Sequence, residues 1–165
     1  MTKIKLTSAD FFCWGGWFSE WFRQRGINVV FWLDNWKPAI DTHTLNHPEA
    51  EHYLWNILEL DTPEKINEVV PDTDILTWSP PCVSFSTSNK AWNADKWLWI
   101  QLIEAYLRIV LVKKNNWKLK YWLMENVSNS SMHVKDEYTA EELWLPKEYW
   151  VLKIPVWEYL LASDY

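Results

Sequence analysis

Alternation of strand-like and helix-like segments along the 165 residues is the feature that most constrains the fold. Short runs of β-branched and aromatic residues predict buried strands over residues 28–33, 73–77, 120–125 and 151–156. The stretch before Phe12 is a weaker strand candidate. Helical start and stop signals predict helices over residues 19–25, 37–45 and 97–112, and one that begins at Thr62 with Pro63 in its first position. This alternation predicts an α/β fold with a parallel sheet.

The most apolar segment, residues 97–112, predicts a helix packed on that sheet. Its polar residues Gln101, Glu104 and Arg108 fall on one helical face, which leaves the remaining faces for the core. The segment is too short and too polar to span a membrane. Lysines follow it and form either a solvated helix end or a phosphate contact. They are Lys113, Lys114, Lys118 and Lys120.

Composition excludes several classes of protein. Hydrophobic residues make up 48% and charged residues 23%, which excludes a disordered chain. Two cysteines are too few for a disulfide scaffold and suggest a reducing compartment. No signal peptide is visible, so we expect a cytoplasmic protein. The net charge of −6 gives no global attraction to nucleic acid.

Glycine and tryptophan occur in abnormal numbers. The chain has 3 glycines and 15 tryptophans. Average usage of about 7% would give roughly 12 glycines in a chain of this length. No physical pressure on a soluble domain replaces most glycines with the largest side chain.

A candidate cofactor turn lies in residues 10–19, between a possible strand and a helix. Gly15 and Gly16 in this segment are typical of a turn that binds a nucleotide-like cofactor. Asp34 ends the next predicted strand about 20 residues on, where an acid accepts hydrogen bonds from ribose hydroxyls. An ordinary turn between a strand and a helix is the alternative.

Two further candidates follow later strands, where open α/β sheets bind ligands. Prolines at 80 and 81 stiffen the turn that presents Cys82, whose thiolate would be a nucleophile if its pKa were lowered. An inert, buried thiol is the alternative. Glu125 could be partly desolvated and so hold a proton near neutral pH, unless it is a helix N-cap or a solvated loop residue. The four histidines show no metal-ligand spacing, so we assign no metal site.

In this order and spacing, the three segments resemble the motifs of the cytosine-5 DNA methyltransferase family. Residues 10–19 align without a gap with D-x-F-C-G-x-G-G-x-S, and residues 78–86 align with the nucleophile motif G-x-P-P-C-Q-x-F-S. Residues 125–127 match E-N-V, and residues 46–48 are similar to the family's N-x-P. The resemblance covers almost the whole chain.

The resemblance implies a Rossmann-like fold of S-adenosylmethionine-dependent methyltransferases, with a mostly parallel sheet that is incomplete at the C-terminus. It implies S-adenosylmethionine as the cofactor and double-stranded DNA as the partner, in a bacterial restriction–modification or phage setting. In the implied reaction Cys82 bonds to C6 of a flipped cytosine, Glu125 protonates N3, and C5 takes the methyl group.

Positions that match the family motifs carry further expected contacts. The catalytic residues are then Cys82 and Glu125. The expected cofactor-binding residues are Phe12, Trp14, Gly16, Trp17, Asp34, Asn35, Asn56, Ile57, Pro81 and Leu102. The expected substrate-binding residues are Ser86, Asn126 and Val127. We expect no metal and no membrane partner.

Tryptophan stands at positions where the family has glycine, and this is the main departure. The positions concerned are Trp14, Trp17, Trp21, Trp55, Trp78 and Trp92. Asn56 replaces the family's acid, Val83 its glutamine and Trp99 its arginine. Indoles at 14 and 17 should be incompatible with close approach of a cofactor. One hypothesis resolves the conflict: UGA is a glycine codon in the source cell, and tryptophan has been assigned in its place.

Residues 162–165 resemble a run that the family follows with G-x-P-Q-x-R-x-R. We therefore expect residues 1–165 to be a partial catalytic domain without the target-recognition domain, and to be an inactive truncated fragment by themselves. Two alternatives from other classes are a non-catalytic, methyltransferase-like interaction subunit and a tryptophan-rich module that stacks bases or sugars.

Overall fold

A five-stranded, entirely parallel sheet forms the centre of the computed structural model, which describes residues 5–82 and 96–154. In chain order the strands are β1 (Thr7–Phe11), β2 (Asn28–Asp34), β3 (Glu51–Leu54), β4 (Ile75–Trp78) and β5 (Tyr121–Met124). Across the sheet the order is β3-β2-β1-β4-β5. The chain builds outward from β1 in one direction and then crosses to the other side of it, which leaves a crevice beyond the strands' carboxyl ends. The predicted α/β fold is confirmed.

The weakest strand candidate, β1, is the central strand of the sheet. Ser8 lies opposite Val29 of β2 and Ile75 of β4, and both pairings are parallel. Its polar side chains obscured this position in the sequence, and two of them, Thr7 and Asp10, have partners from distant segments. Thr7, for example, donates to the Asp74 carboxylate through both its backbone amide, at 2.9 Å, and its hydroxyl, at 3.0 Å. The sequence analysis did not predict β3 at all.

Helices cover both faces of the sheet. They are α1 (Trp17–Gln24), α2 (Lys37–Asn46), α3 (Pro63–Val69) and α4 (Lys96–Asn115). Successive side chains of β2 point to opposite faces of the sheet. Phe31 and Leu33 pack in the core with α3 and α4, whereas Trp32 packs with residues of α1 and α2. Thr62 caps α3 by accepting a hydrogen bond from the Lys65 amide, so the predicted helix start is confirmed.

The predicted polar face of α4 is partly wrong. Arg108 is buried, and its guanidinium donates to the Leu143 carbonyl at 2.7 Å and to the Leu60 carbonyl at 3.4 Å. The segment after β5 lies over this side of the helix and buries Leu143 and Leu152 in the main core. A residue expected to face water therefore joins three parts of the chain.

The strand predicted over residues 151–156 does not belong to the central sheet. β6 (Glu137–Thr139) and β7 (Val151–Lys153) pair antiparallel in a separate two-stranded sheet. The end of the predicted run, residues 155–156, lies outside the described residues. A short β-branched run predicts a strand but not the strand with which it pairs.

Two of the four lysines in and after the last turn of α4 have acidic partners. Lys113 is buried and lies 3.0 Å from an Asp72 carboxylate oxygen, while Lys120 lies 2.7 Å from one of Asp74. These two side chains fasten the end of α4 and the start of β5 to the segment before β4. The two predicted roles of the basic cluster, a solvated helix end and a phosphate contact, describe neither Lys113 nor Lys120.

Candidate active site

The turn after β1 brings the backbone close to α2 at its last residue, Gly16. Gly16 is the N-cap of α1 and has a φ of 88°, which glycine adopts freely. A Cβ at this position would lie 2.6 Å from Nε2 of His43 in α2. No side chain caps the first turn of α1. Its amide groups are therefore left for a polar ligand at the sheet's carboxyl edge.

A buried carboxylate, Asp10, fixes the base of this turn. The Ser19 hydroxyl donates to Asp10 Oδ2 at 2.7 Å, and the Thr77 hydroxyl donates to Oδ1 at 2.8 Å. Burial, with a smaller contribution from the nearby charge of Asp34, raises the pKa of Asp10 to about 6, although the hydrogen bonds from the two hydroxyls lower it. One side chain thus joins β1, α1 and β4. This structural role of Asp10 was not predicted from the sequence, although the spacing of Asp10 and Ser19 across the turn could have indicated their hydrogen bond.

Asp34 ends β2 beside the same turn. Its Oδ1 accepts from the Trp36 amide at 2.8 Å, and its Oδ2 accepts from the Trp14 amide at 3.4 Å. Burial raises the pKa of this carboxyl, and the backbone donors lower it. Trp14 and Trp17 project from the turn and are exposed, and the Trp14 ring packs on Trp36 with 6.0 Å between the centroids.

A hollow of about 360 Å³ lies next to Asp34, beyond the ends of β2 and β3. Two of the predicted cofactor-binding residues, Asn35 and Asn56, line it. Asn56 also accepts a hydrogen bond from the Leu58 amide through its side-chain oxygen. Leu54, Trp55 and Glu59 complete the lining.

The remaining predicted cofactor residues lie outside this lining. Ile57 is buried in the main core, and Phe12 is buried against Trp78 with 5.9 Å between the ring centroids. Leu102 is a half-buried residue of α4 that packs against the main core. Pro81 is exposed after β4.

The segments after β4 and β5 are fastened to each other. The Ser79 hydroxyl donates to Glu125 Oε2 at 2.6 Å, and the Asn126 side chain donates to the Pro80 carbonyl at 3.2 Å. The Glu125 amide donates to the Trp78 carbonyl at 2.9 Å. Glu125 therefore lies beside the diproline turn that carries Cys82. The sequence analysis missed Ser79, whose partner becomes visible only when β4 and β5 are neighbours.

The two cysteines differ in their exposure to solvent. Cys82 is exposed, whereas Cys13 is buried, and burial raises the pKa of the Cys13 thiol. Glu125 is exposed, so the expectation of a partly desolvated carboxyl is wrong for this structure. β5 is an outer strand among the described residues, and the residue after it consequently faces water. Val127 is half-buried and donates to the Asn126 side chain, and Ser86 lies outside the described residues.

Two negative findings concern only the part of the chain that the structure describes. Across residues 5–82 and 96–154, no three histidine, cysteine, aspartate or glutamate side chains form a group suited to a metal ion. No helix in those ranges is long and apolar enough to cross a membrane.

Comparisons with known proteins identify the family of the chain. The sequence profile of C-5 cytosine-specific DNA methylases matches residues 6–143. The type II methyltransferase M.AgeI of Thalassovita gelatinovora is 33% identical over 126 residues, which cover 74% of this chain and 28% of the relative. M.HgiGI of Herpetosiphon aurantiacus is 29% identical over 77% of this chain and 94% of the relative. This chain thus spans about a quarter of one relative and nearly all of the other.

One solved structure has the same fold. It is a prophage-encoded protein of E. coli, named as a DNA modification methyltransferase, and it superposes with a TM-score of 0.59 at 25% identity. The match covers 76% of this chain and 33% of the solved chain.

Proposed function

The chain belongs to the C-5 cytosine-specific DNA methylase family, and from this premise we propose that residues 1–165 form part of a DNA (cytosine-5)-methyltransferase catalytic domain. The proposed substrate is cytosine in double-stranded DNA. The observation that carries the proposal is the pair of side-chain hydrogen bonds from Ser79 to Glu125 and from Asn126 to Pro80. These bonds hold the Glu-Asn-Val segment beside the turn that bears the exposed thiol.

Cys82 is the proposed nucleophile. Its thiolate attacks C6 of cytosine, a carbon–sulfur bond forms, and the electrons of the C5–C6 double bond move onto C5. Two prolines before Cys82 restrict the backbone that presents the sulfur, and the exposure of Cys82 leaves it open to a base flipped out of the duplex. After methylation, water takes the C5 proton, the C5–C6 double bond re-forms as the thiolate departs, and N3 returns its proton to Glu125, which restores the ring.

Glu125 is the proposed proton donor to N3. Ser79 holds one oxygen, Oε2, at 2.6 Å, and we assign the proton to Oε1. Ser79 is then a positioning residue, since it fixes the orientation of the carboxyl without contacting the base.

The residues beyond β2 and β3 suit the adenosine part of S-adenosylmethionine. Asp34 supplies carboxylate oxygens for ribose hydroxyls, and Asn35 and Asn56 supply polar side chains around the hollow. The uncapped amides of α1 suit a carboxylate. When bound, the cofactor supplies an electrophilic methyl group. Trp14 and Trp17 are the residues that do not suit this site, because their indoles project from the turn itself.

Covalent trapping tests the proposal. DNA that contains 5-fluorocytosine should form a stable adduct with the full gene product in the presence of S-adenosylmethionine, because fluorine blocks the final elimination. Cys82→Ser should abolish the adduct, and Cys13→Ser, a change at the buried thiol, should leave Cys82 able to form it. Glu125→Gln should slow adduct formation by roughly 10²–10⁴-fold. An adduct that persists in Cys82→Ser would refute the assignment of the nucleophile.

A tryptophan-rich stacking module predicts a continuous exposed aromatic face, and the described residues do not favour it. Exposed tryptophans are spread over several elements: the turn after β1, α1, the turn before α2, both ends of α4 and the loops around the two-stranded sheet. They are Trp14, Trp17, Trp21, Trp36, Trp97, Trp117, Trp144 and Trp150.

A further inference from the structure

Tryptophan occupies backbone conformations that suit glycine. Among the described residues, five residues other than glycine have a positive φ, and four of them are tryptophans. They are Trp14 (φ 45°), Trp117 (φ 64°), Trp144 (φ 59°) and Trp150 (φ 66°). Bulky L-residues rarely adopt this region, because Cβ collides with the backbone, whereas glycine enters it freely.

A glycine in the same chain provides the direct comparison. Gly26 lies two residues beyond the end of α1, has a φ of 77°, and its amide donates to the Arg23 carbonyl three residues back. Trp117 lies two residues beyond the end of α4, has a φ of 64°, and its amide donates to the Lys114 carbonyl, also three residues back. Helices commonly end with glycine at this position. Trp117 therefore occupies a glycine C-cap site.

Packing does not offset the strain at the three positions outside the cofactor turn. The side chains of Trp117, Trp144 and Trp150 are 93%, 75% and 78% exposed. Trp150 combines its positive φ with a ψ of −113°, which lies outside the left-handed helical region as well. These three positions lie outside the motifs that carry the family resemblance, so the evidence from backbone conformation is independent of it.

Two buried tryptophans fit their surroundings poorly. The Trp32 and His43 ring centroids are 3.2 Å apart, whereas aromatic pairs settle at roughly 4.5–7 Å. The indole N–H groups of Trp32 and Trp78 are buried and have no acceptor among the described residues. A buried indole normally has a hydrogen-bond partner. At position 32 the space is too small for the side chain, and at both positions a polar group is left unsatisfied.

We propose that the codons for Trp14, Trp32, Trp78, Trp117, Trp144 and Trp150 are decoded as glycine in the source cell, with UGA as the codon concerned. This accounts for strained backbone, exposed indoles and poor burial with one cause, and it raises a glycine count of 3 toward normal usage. With glycine at position 14 the whole indole side chain is lost, while the backbone amide that donates to Asp34 is kept.

Mass spectrometric sequencing of the protein purified from the cells that carry the gene tests the proposal directly. Glycine at positions 14, 32, 78, 117, 144 and 150, together with UGA codons, is the expected result. Tryptophan at these positions, encoded by UGG, would overturn it. This measurement needs no methyl transfer, so it is decided separately from the proposed enzyme activity.

A stability test uses recombinant protein that carries tryptophan at these positions. Trp117→Gly should have a midpoint of thermal unfolding roughly 2–4 °C above that of Trp117→Ala, because only alanine is strained at this φ. The matched controls are Trp122→Gly and Trp122→Ala in β5. Both lose the indole, and Trp122→Gly should be the less stable of the two because glycine weakens a strand. Equal midpoints for the two variants at 117, or a higher midpoint for alanine, would contradict the glycine assignment there.

Discussion

Asp10 should make the protein less stable at neutral pH than at pH 4. Burial raises its pKa from 3.8 to about 6 in the folded protein. Between these values the unfolded chain has lost the proton and the folded chain keeps it, so the free energy of unfolding falls as pH rises. The rise in pKa from 3.8 to about 6 corresponds to a loss of about 3 kcal/mol in the free energy of unfolding, and this loss is complete above pH 6.

Urea denaturation of the wild type and Asp10→Asn from pH 4 to pH 7.5 measures this contribution. Over that range the free energy of unfolding of the variant should rise by about 3 kcal/mol relative to the wild type. The difference between the proteins isolates Asp10 because His43, whose pKa burial lowers to about 3, changes stability in the opposite sense in both.

Thr77→Val is a control that should change the pH dependence of stability in the direction opposite to Asp10→Asn. It removes a hydroxyl that lowers the pKa of Asp10, so it should enlarge the loss of stability with rising pH. Parallel pH profiles for the wild type and Asp10→Asn would refute the account of Asp10 as a buried acid that is neutral at pH 5.

Other parts of the fold give three shorter predictions. Arg108→Met should lower the free energy of unfolding by about 2–3 kcal/mol in urea denaturation, because the carbonyls of Leu143 and Leu60 lose a charged donor. Thr62→Ala should cost about 1 kcal/mol by the same assay, and Thr62→Ser, which keeps the cap, should not. His43→Leu should flatten the loss of stability on acidification below pH 6.5, because burial disfavours the charged ring in the folded state; an unchanged acid limb would contradict this.

Much of the fold could be predicted because its periodic signals are strong. The alternation of segments predicted the parallel sheet, and the apolar run before Lys113 predicted α4. β3 was missed because its Glu-His-Tyr-Leu sequence forms a short, largely exposed outer strand with no apolar run. β1 was undervalued because it is rich in polar residues, and Thr7 and Asp10 have partners in segments distant in the sequence.

Only part of the candidate site could be predicted. Cys82 and Glu125 follow neighbouring parallel strands, and the rule for carboxyl ends was enough to place their segments together. The bond from Ser79 to Glu125 and the burial of Arg108 depend on which elements become neighbours, which local sequence does not state. The exposure of Glu125 has the same origin, because it depends on what lies beyond β5.

The central place of β1 also affects how the chain folds during synthesis. β1 is made before both of its neighbours, and β2 follows it within about 20 residues, but Ser8 meets Ile75 of β4 only after the intervening segment has been made. One backbone edge of the nascent strand therefore stays uncovered until β4 has been made. Closing that edge is a long-range step, which sets the pace of folding in parallel sheets.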